Sequence, residues 1–209
     1  MIGLEAGQAA FGDIYDWFRR FLSYGGTAVS LANLEKEAAA LPPDACRVTA
    51  LDWHNGRRSP DSDPLLTGAV FNLTLGTSPA MFYRALIEST VFGAKRIIER
   101  LQQYQVPIER IAAIGGISQK SPFIMQLCAD VFQIPVRVIH CDQVCAMGGA
   151  IAAATAAGLF PDLAHAIQAM APRNGITYYP NRQLTEQYIQ RYQEYLRLGG
   201  IWEETLHSS

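Results

Sequence analysis

The chain has 209 residues, of which 49% are hydrophobic, with 17 basic side chains against 19 acidic ones. This near balance, without a basic run, argues against a nucleic-acid-binding surface, and no stretch of 18 apolar residues predicts a membrane span. The length fits one large domain, or one and a half. The amino terminus lacks the basic region of a signal peptide, so we expect a cytoplasmic protein. The cysteines match no zinc spacing and are interpreted as buried thiols: Cys46, Cys128, Cys141 and Cys145.

The first 30 residues predict the end of a strand and one helix. Met1 to Ala6 has the character of a strand already in progress, and Asp13 is expected to cap the helix. Gly25-Gly26 is expected to end it. The apolar positions of this helix have the spacing of one buried stripe: Ile14, Trp17, Phe18, Phe21 and Leu22.

The middle of the chain predicts two helices separated by a strand and a loop. A helix is expected over 30–41, a short strand over 47–51, and an irregular surface loop over 52–73. Ser78-Pro79 then has the pattern of a helix start. The helix that follows is predicted to reach about Tyr104 and to be buried, because its first half is apolar on nearly every side.

The segment 110–139 predicts a strand, a glycine turn, a helix and a second strand. Gly115 and Gly116 come where the first strand ends, which is where open α/β sheets bind ligands. Two adjacent glycines let a flat ligand approach the backbone. Ser121-Pro122 opens the helix, and its proline removes one free N–H from the helix start. The turn therefore suits a ring or a ribose better than a triphosphate tail.

The last 65 residues predict three helices and one extended piece. The first helix, 145–157, is built from alanine and glycine and includes Gly148-Gly149. Asp162 is expected to cap a short helix to Met170, and an extended piece is expected at 178–179. Gly199-Gly200 is expected to close the final helix. That helix has the apolar stripe Leu184, Tyr188, Tyr192, Tyr195 and Leu196.

Catalytic patterns are not evident in the sequence itself. There is no Walker-type loop and no HExxH, and a Gly-Gly turn alone is weak evidence of a nucleotide site. The histidines suit structural or solvated roles better than catalysis: His54, His140, His165 and His207.

Four stretches, in the same order, resemble the FGGY carbohydrate kinases. They are 3–13, 51–58, 115–127 and 146–151, and the third resembles the adenosine motif of that family. The resemblance implies an α/β fold, namely an actin-like (ribonuclease-H-like) domain. It implies that residues 1–209 are part of the C-terminal domain of a two-domain sugar kinase, without the first strands of that domain.

The resemblance also implies site residues. The Gly115-Gly116 turn, Ile117 and Lys120 are expected along the adenosine, although Lys120 also suits a solvated loop lysine. Gly12 and Asp16 match weaker nucleotide positions.

A sugar contact is implied near the amino terminus. Glu5 matches a position that reaches the sugar hydroxyls, and its alternative is a strand-end carboxylate bonded by backbone. Gly148 and Gly149 are expected to pack closely and to be structural.

The implied reaction transfers the γ-phosphoryl group of ATP to a sugar hydroxyl, with Mg²⁺. The expected sugar is a ketose, with ribulose first and xylulose or another polyol as the alternative. A non-catalytic actin-like module that binds nucleotide or a partner protein stays open as well. The catalytic aspartate and the phosphate loops of the family are expected upstream of Met1, so the chain alone is expected to be inactive. The expected partners are an N-terminal kinase domain and the sugar, with self-association through an unpaired sheet edge also expected.

Overall fold

The computed structural model describes residues 3–45 and 47–208, which form a mixed α/β fold. In chain order the elements of these residues are α1 Gly12–Leu22, α2 Leu31–Ala40, β1 Thr49–Ala50, β2 Val70–Phe71, α3 Pro79–Gln103, β3 Ile111–Ala113, α4 Gly116–Lys120, α5 Pro122–Phe132, β4 Val136–Ile139, α6 Val144–Ala156, α7 Leu163–Met170, β5 Gly175–Tyr178 and α8 Thr185–His207. None of these helices combines the length and the apolar composition that a membrane span needs.

Two small sheets accompany the helices. β3, β4 and β5 form one sheet in that order, with β3 and β4 parallel and β4 and β5 antiparallel. β1 and β2 pair antiparallel in a second sheet. In the described residues β3 and β5 are the outer strands of their sheet, so each pairs on one side only.

Both Ser-Pro helix starts are confirmed. The Ser78 side chain accepts a hydrogen bond from the backbone N–H of Met81 at 3.3 Å, and the Ser121 side chain accepts one from that of Ile124 at 3.0 Å. Each serine thus satisfies one free donor of its helix. In both helices proline follows at the first position, as the sequence predicts.

The long helix α3 lies in the core, but its buried face is not purely apolar. Arg84 and Glu88 are 2% and 1% exposed, and Arg84 Nε donates to Glu88 Oε1 at 2.9 Å. Arg191 of α8 donates to Glu88 Oε2 at 2.6 Å, and Arg84 Nη2 donates to the Tyr188 hydroxyl at 3.0 Å. Arg84 also donates to the backbone carbonyl of Ala38 in α2 at 3.0 Å. This buried ion network joins three helices, and the sequence interpretation missed it.

The beginning of the chain differs from its prediction. Residues 3–8 have no regular structure, and Met1 and Ile2 lie outside the described residues. Phe11, not Asp13, occupies the position before α1, and no side chain caps that helix. The buried face of α1 is also rotated from the predicted stripe. It consists of Ile14, Tyr15 and Phe18, whereas Trp17 and Phe21 are 41% and 66% exposed.

The final helix continues through the glycines that were expected to end it. α8 reaches His207 because both Gly199 and Gly200 keep helical geometry. A β-carbon on Gly199 would lie 3.2 Å from Cη2 of Trp53, so this glycine allows a close approach rather than a helix end. The predicted stripe holds for Tyr188, Tyr192 and Tyr195. The predicted stripe is wrong at Leu196, which is 39% exposed.

The predicted surface loop, 52–73, is partly buried and is tied to helices. Trp53 and Leu66 are buried, and β2 lies within the segment. Arg57 donates to both carboxylate oxygens of Glu203 in α8, at 2.7 and 2.6 Å. Charged side chains therefore fix the loop against α8, and a propensity argument does not detect such long-range pairs.

The helix α6 has the predicted bounds to within one residue, but it does not pack as expected. Gly148 and Gly149 are exposed, and a β-carbon on either would meet nothing within 4 Å. The expected close packing of these glycines is therefore absent from the described structure. The prediction of buried thiols is confirmed for Cys128 and wrong for Cys145, which is exposed, while Cys141 is half-buried. Cys46 lies outside the described residues.

Candidate functional site

A cavity of about 490 Å³ lies where α1 and α2 meet the turn between α4 and α5. Its walls are mostly apolar, with a carboxylate, an ammonium group and a hydroxyl among them. The lining residues are Tyr15, Leu31, Ala32, Glu35, Gly116, Ile117, Lys120, Ser121 and Ile124. A largely apolar cavity with a few polar groups is typical of small-molecule sites.

The glycine turn directs α4 toward this cavity. Gly115 has φ +95° and ψ −179°, a backbone conformation that glycine adopts without steric cost. The chain leaves β3 through this residue and forms the five-residue α4. Gly116, Ile117 and Lys120 of α4 all line the cavity, while Gly115 holds the turn behind them. The sequence predicted a glycine turn here, but it did not predict that the next five residues form the helix α4.

Gly12 lies against the same cavity wall. A β-carbon on Gly12 would come within 2.6 Å of Cδ1 of Ile117, so α1 begins in direct contact with α4. The structure thus brings together Gly12 and Ile117, which are far apart in the chain.

Glu35 is a cavity residue that the sequence interpretation did not identify. The Ser121 hydroxyl donates to Glu35 Oε1 at 2.8 Å, and Ser121 is 3% exposed. Desolvation raises the pKa of Glu35, and the hydrogen bond from Ser121 opposes that rise. Glu35 lies in an Ala- and Glu-rich helix, where nothing in the sequence distinguishes it from Glu37.

Lys120 lines the cavity and is exposed to solvent. In residues 3–45 and 47–208 this group makes no hydrogen bond or ion pair. A lysine with no partner beside an apolar cavity can neutralise or hydrogen-bond an anionic or polar ligand.

Asp16 does not line the cavity. Its carboxylate accepts from Arg19 Nε at 2.9 Å and lies 3.2 Å from Arg20 Nε. The hydrogen bond from Arg19 lowers the pKa of Asp16. The structure therefore places this side chain in an ion-paired group on the surface of α1.

Glu5 lies apart from the cavity as well. It is exposed, and Arg58 Nη2 donates to its Oε1 at 3.3 Å. Its alternative interpretation, a strand-end carboxylate bonded by backbone, does not match this contact. The adjoining residues contact the loop: the Gly7 backbone N–H donates to the Ser59 hydroxyl at 3.4 Å, and Gln8 Nε2 donates to Asp52 Oδ2 at 3.0 Å. The segment from Glu5 to Gly12 thus contacts the loop 52–73 at one end and the cavity wall at the other.

The residues present do not fit a Mg²⁺ site at the cavity. Glu35 is the sole acidic side chain among the described residues that line it, whereas Mg²⁺ favours several oxygen ligands. Asp63, Glu203 and His207 do come within 4.8 Å of one another elsewhere. Arg57 holds both oxygens of Glu203, so a positive charge already occupies that group.

The chain matches the family model described as the C-terminal domain of the FGGY family of carbohydrate kinases, over residues 1–157. The chain belongs to this family. The stretch 115–127, which resembles the adenosine motif of FGGY kinases, supplies five of the nine residues that line the cavity.

Curated FGGY relatives include ribulokinases. The chain is 40% identical to the ribulokinase of Vibrio parahaemolyticus, with 98% of this chain and 39% of that protein covered. It is 37% identical to that of Bacillus licheniformis, with 94% and 38% covered. The chain thus spans about two fifths of the length of these relatives.

Solved structures show the same fold. The xylulose kinase of Lactobacillus acidophilus is 23% identical with a TM-score of 0.82, over 94% of this chain and 39% of that one. The xylulose kinase of Rhodospirillum rubrum is 24% identical with a TM-score of 0.82, over 96% and 40%. In these ribulokinases and xylulose kinases, the region similar to this chain is one part of a longer chain.

Proposed function

We propose that the chain is the nucleotide-side part of an ATP-dependent sugar kinase, and that its 490 Å³ cavity holds the adenosine of ATP. The observation that carries the proposal is the position of Gly116, Ile117 and Lys120, which the family resemblance implies lie along the adenosine and which line one apolar cavity. The purine and ribose fit apolar walls, and the Lys120 ammonium suits a ribose hydroxyl or a phosphate.

The reaction of the complete enzyme is a phosphoryl transfer. A hydroxyl oxygen of the sugar attacks the γ-phosphorus of ATP, the bond to the β-phosphate oxygen breaks, ADP leaves, and the hydroxyl proton passes to a base. Such transfers depend on a metal ion, phosphate contacts and a positioned acceptor. The described residues offer only adenosine contacts at the cavity. In this proposal the catalytic aspartate, the phosphate loops and the Mg²⁺ ligands come from the rest of the complete enzyme, so this chain alone is inactive.

Residues 1–209 are proposed to form part of a C-terminal domain with the actin-like arrangement. An exposed apolar surface supports a covering N-terminal domain. We call it the α6–α7 surface; it comprises the exposed residues 148–150 of α6 together with Leu159, Leu163 and Ile167, which are 72%, 51% and 46% exposed. Exposed apolar groups of this kind mark a contact surface.

Ribulose is the proposed sugar, because ribulokinases are similar to nearly the full length of this chain. Glu5 is proposed as a contact to a sugar hydroxyl, because it is exposed and its partner Arg58 is exposed too. Asp16 is proposed as a peripheral nucleotide contact, reached from the start of α1.

Reconstitution tests the proposed function. The chain is mixed with the portion of the Vibrio parahaemolyticus ribulokinase that precedes the matched region, and release of ADP is followed with ATP and ribulose, xylulose or glycerol. We expect ribulose-dependent ADP release from the mixture and none from either part alone. The variant Ile117→Trp serves as the negative control, because the larger side chain fills the cavity and should abolish ADP release. Activity of the chain by itself, or equal activity of the control, would contradict the proposal.

A further inference from the structure

The cavity contains one carboxylate, that of Glu35, and a hydrogen bond from Ser121 fixes its orientation. The Ser121 hydroxyl accepts from the Ile124 backbone N–H at 3.0 Å, so its own hydrogen is free to bond to Glu35 Oε1 at 2.8 Å. Ser121 is buried at the start of α5, and it therefore holds Glu35 in one position. This bond connects α2 to the turn that carries the adenosine residues.

The second oxygen of this carboxylate is available to a ligand. In the described part of the chain Glu35 Oε2 has no hydrogen-bond partner, and Glu35 lines the cavity. Glu35 is half-buried, and this desolvation raises the pKa of its carboxyl group. An acceptor that is poorly hydrated gains from a ligand N–H, and it excludes a ligand acceptor at the same place.

We propose that Glu35 determines nucleobase specificity by accepting a hydrogen bond from the exocyclic amino group of adenine. The inference rests on the proposed adenosine cavity and adds the residue that selects the base. Adenine presents an amino donor at position 6, whereas hypoxanthine and guanine present a carbonyl acceptor there. An ionised carboxylate only accepts hydrogen bonds, so it bonds the first and repels the other two. A site built to pair with one polar group rejects analogues that lack it.

The test compares ATP with inosine triphosphate, whose base carries a carbonyl instead of the amino group at position 6. Dissociation constants for both are measured on the 209-residue chain by ligand-observed NMR titration, which detects millimolar binding. Glu35→Gln keeps the shape of the side chain and adds an amide donor that can bond to a carbonyl. Glu37→Gln is the matched control, because Glu37 is an exposed residue of the same helix and does not line the cavity.

We expect the chain to prefer ATP by about tenfold to a hundredfold, as a hydrogen bond to a charged group predicts. Glu35→Gln should remove most of that preference, while Glu37→Gln should keep it. An unchanged preference in Glu35→Gln, or equal binding of the two nucleotides to the original chain, would overturn the inference and leave the adenosine cavity in place. If the original chain binds neither nucleotide, the proposed cavity itself is wrong, and the inference fails with it.

Discussion

Gly12 and Ile117 are in contact across the wall between α1 and α4. A β-carbon on Gly12 would lie 2.6 Å from Cδ1 of Ile117 and 3.5 Å from its Cγ1. The start of α1 can therefore press against α4 only because residue 12 has no side chain. Ile117 lines the cavity, so the volume of the cavity depends on which residue occupies position 12.

Gly12→Ala should weaken nucleotide binding without unfolding the chain. The added methyl group meets the far end of the Ile117 side chain, which can rotate, so the free energy of unfolding should change by less than about 1 kcal/mol. The displaced side chain narrows the cavity, and the dissociation constant for ATP should rise about tenfold, or about 1.4 kcal/mol. Calorimetric unfolding and NMR titration with ATP measure the two quantities.

Gly200→Ala is the control for that change. Gly200 is exposed within α8, and its β-carbon would meet nothing within 4 Å. It should raise the free energy of unfolding by about 0.5–1 kcal/mol and leave ATP binding unchanged. Equal effects of the two substitutions on binding would show that the Gly12 contact does not shape the cavity.

Glu88→Gln should be strongly destabilising. Glu88 is 1% exposed and balances Arg84 and Arg191, which it meets at 2.9 and 2.6 Å. Removal of its charge leaves two guanidinium groups that are poorly compensated away from water, at a cost of about 3–5 kcal/mol in the free energy of unfolding. Chemical denaturation measures the loss. Glu109→Gln, at an exposed position, should cost almost nothing, and a comparable loss there would refute the special role of Glu88.

The ion pair between Glu203 and Arg57 should make stability depend on acid pH. The hydrogen bond from Arg57 lowers the pKa of Glu203 below its ordinary value of 4.5. A lowered carboxyl pKa stabilises the folded chain above the unfolded pKa, and this contribution is lost as the pH falls through the folded pKa. Glu203→Gln should therefore be less stable than the original chain at pH 7, with a difference that shrinks below about pH 4.5. Chemical denaturation at several pH values measures this difference. Glu204→Gln, which changes the exposed neighbour of Glu203, is the control. A stability difference for Glu203→Gln that does not depend on pH would contradict the prediction.

The α6–α7 surface should cause self-association when nothing covers it. Leu163 and Ile167 lie one helical turn apart and are both about half exposed. The paired change Leu163→Gln and Ile167→Gln should lower the average mass seen by light scattering at high protein concentration. Leu75→Gln, which changes a fully exposed apolar residue outside this surface, should not lower the average mass. A monomer at every concentration in the original chain would contradict the role of this surface.

Local sequence signals predicted three helix starts and the order of strand, turn, helix and strand in the central segment. Ser78-Pro79, Ser121-Pro122 and Asp162 each lie where their hydroxyl or carboxylate accepts the expected backbone N–H. These are short-range interactions, within three residues of the cap, so the sequence contains all the information they need.

Long-range contacts account for what the sequence did not predict. Gly199 lies close to Trp53 of the predicted surface loop, and Glu88 is paired with Arg191 of α8. In the same way, Glu35 of α2 meets the turn at the cavity through a hydrogen bond from Ser121, which lies 86 residues away. The family resemblance implies that the turn at Gly116 is an adenosine element, but no sequence pattern indicates that α2 faces it.

Photoaffinity labelling of the 209-residue chain tests directly whether the cavity holds the adenosine of ATP. The chain is irradiated with 8-azido-ATP in the presence and absence of excess ATP, and the labelled peptides are identified by mass spectrometry. We expect label that ATP prevents, in peptides from 31–35 or 116–124, the two segments that supply eight of the nine residues lining the cavity. Label confined to other peptides, or label that excess ATP does not reduce, would contradict the claim that this cavity holds the adenosine.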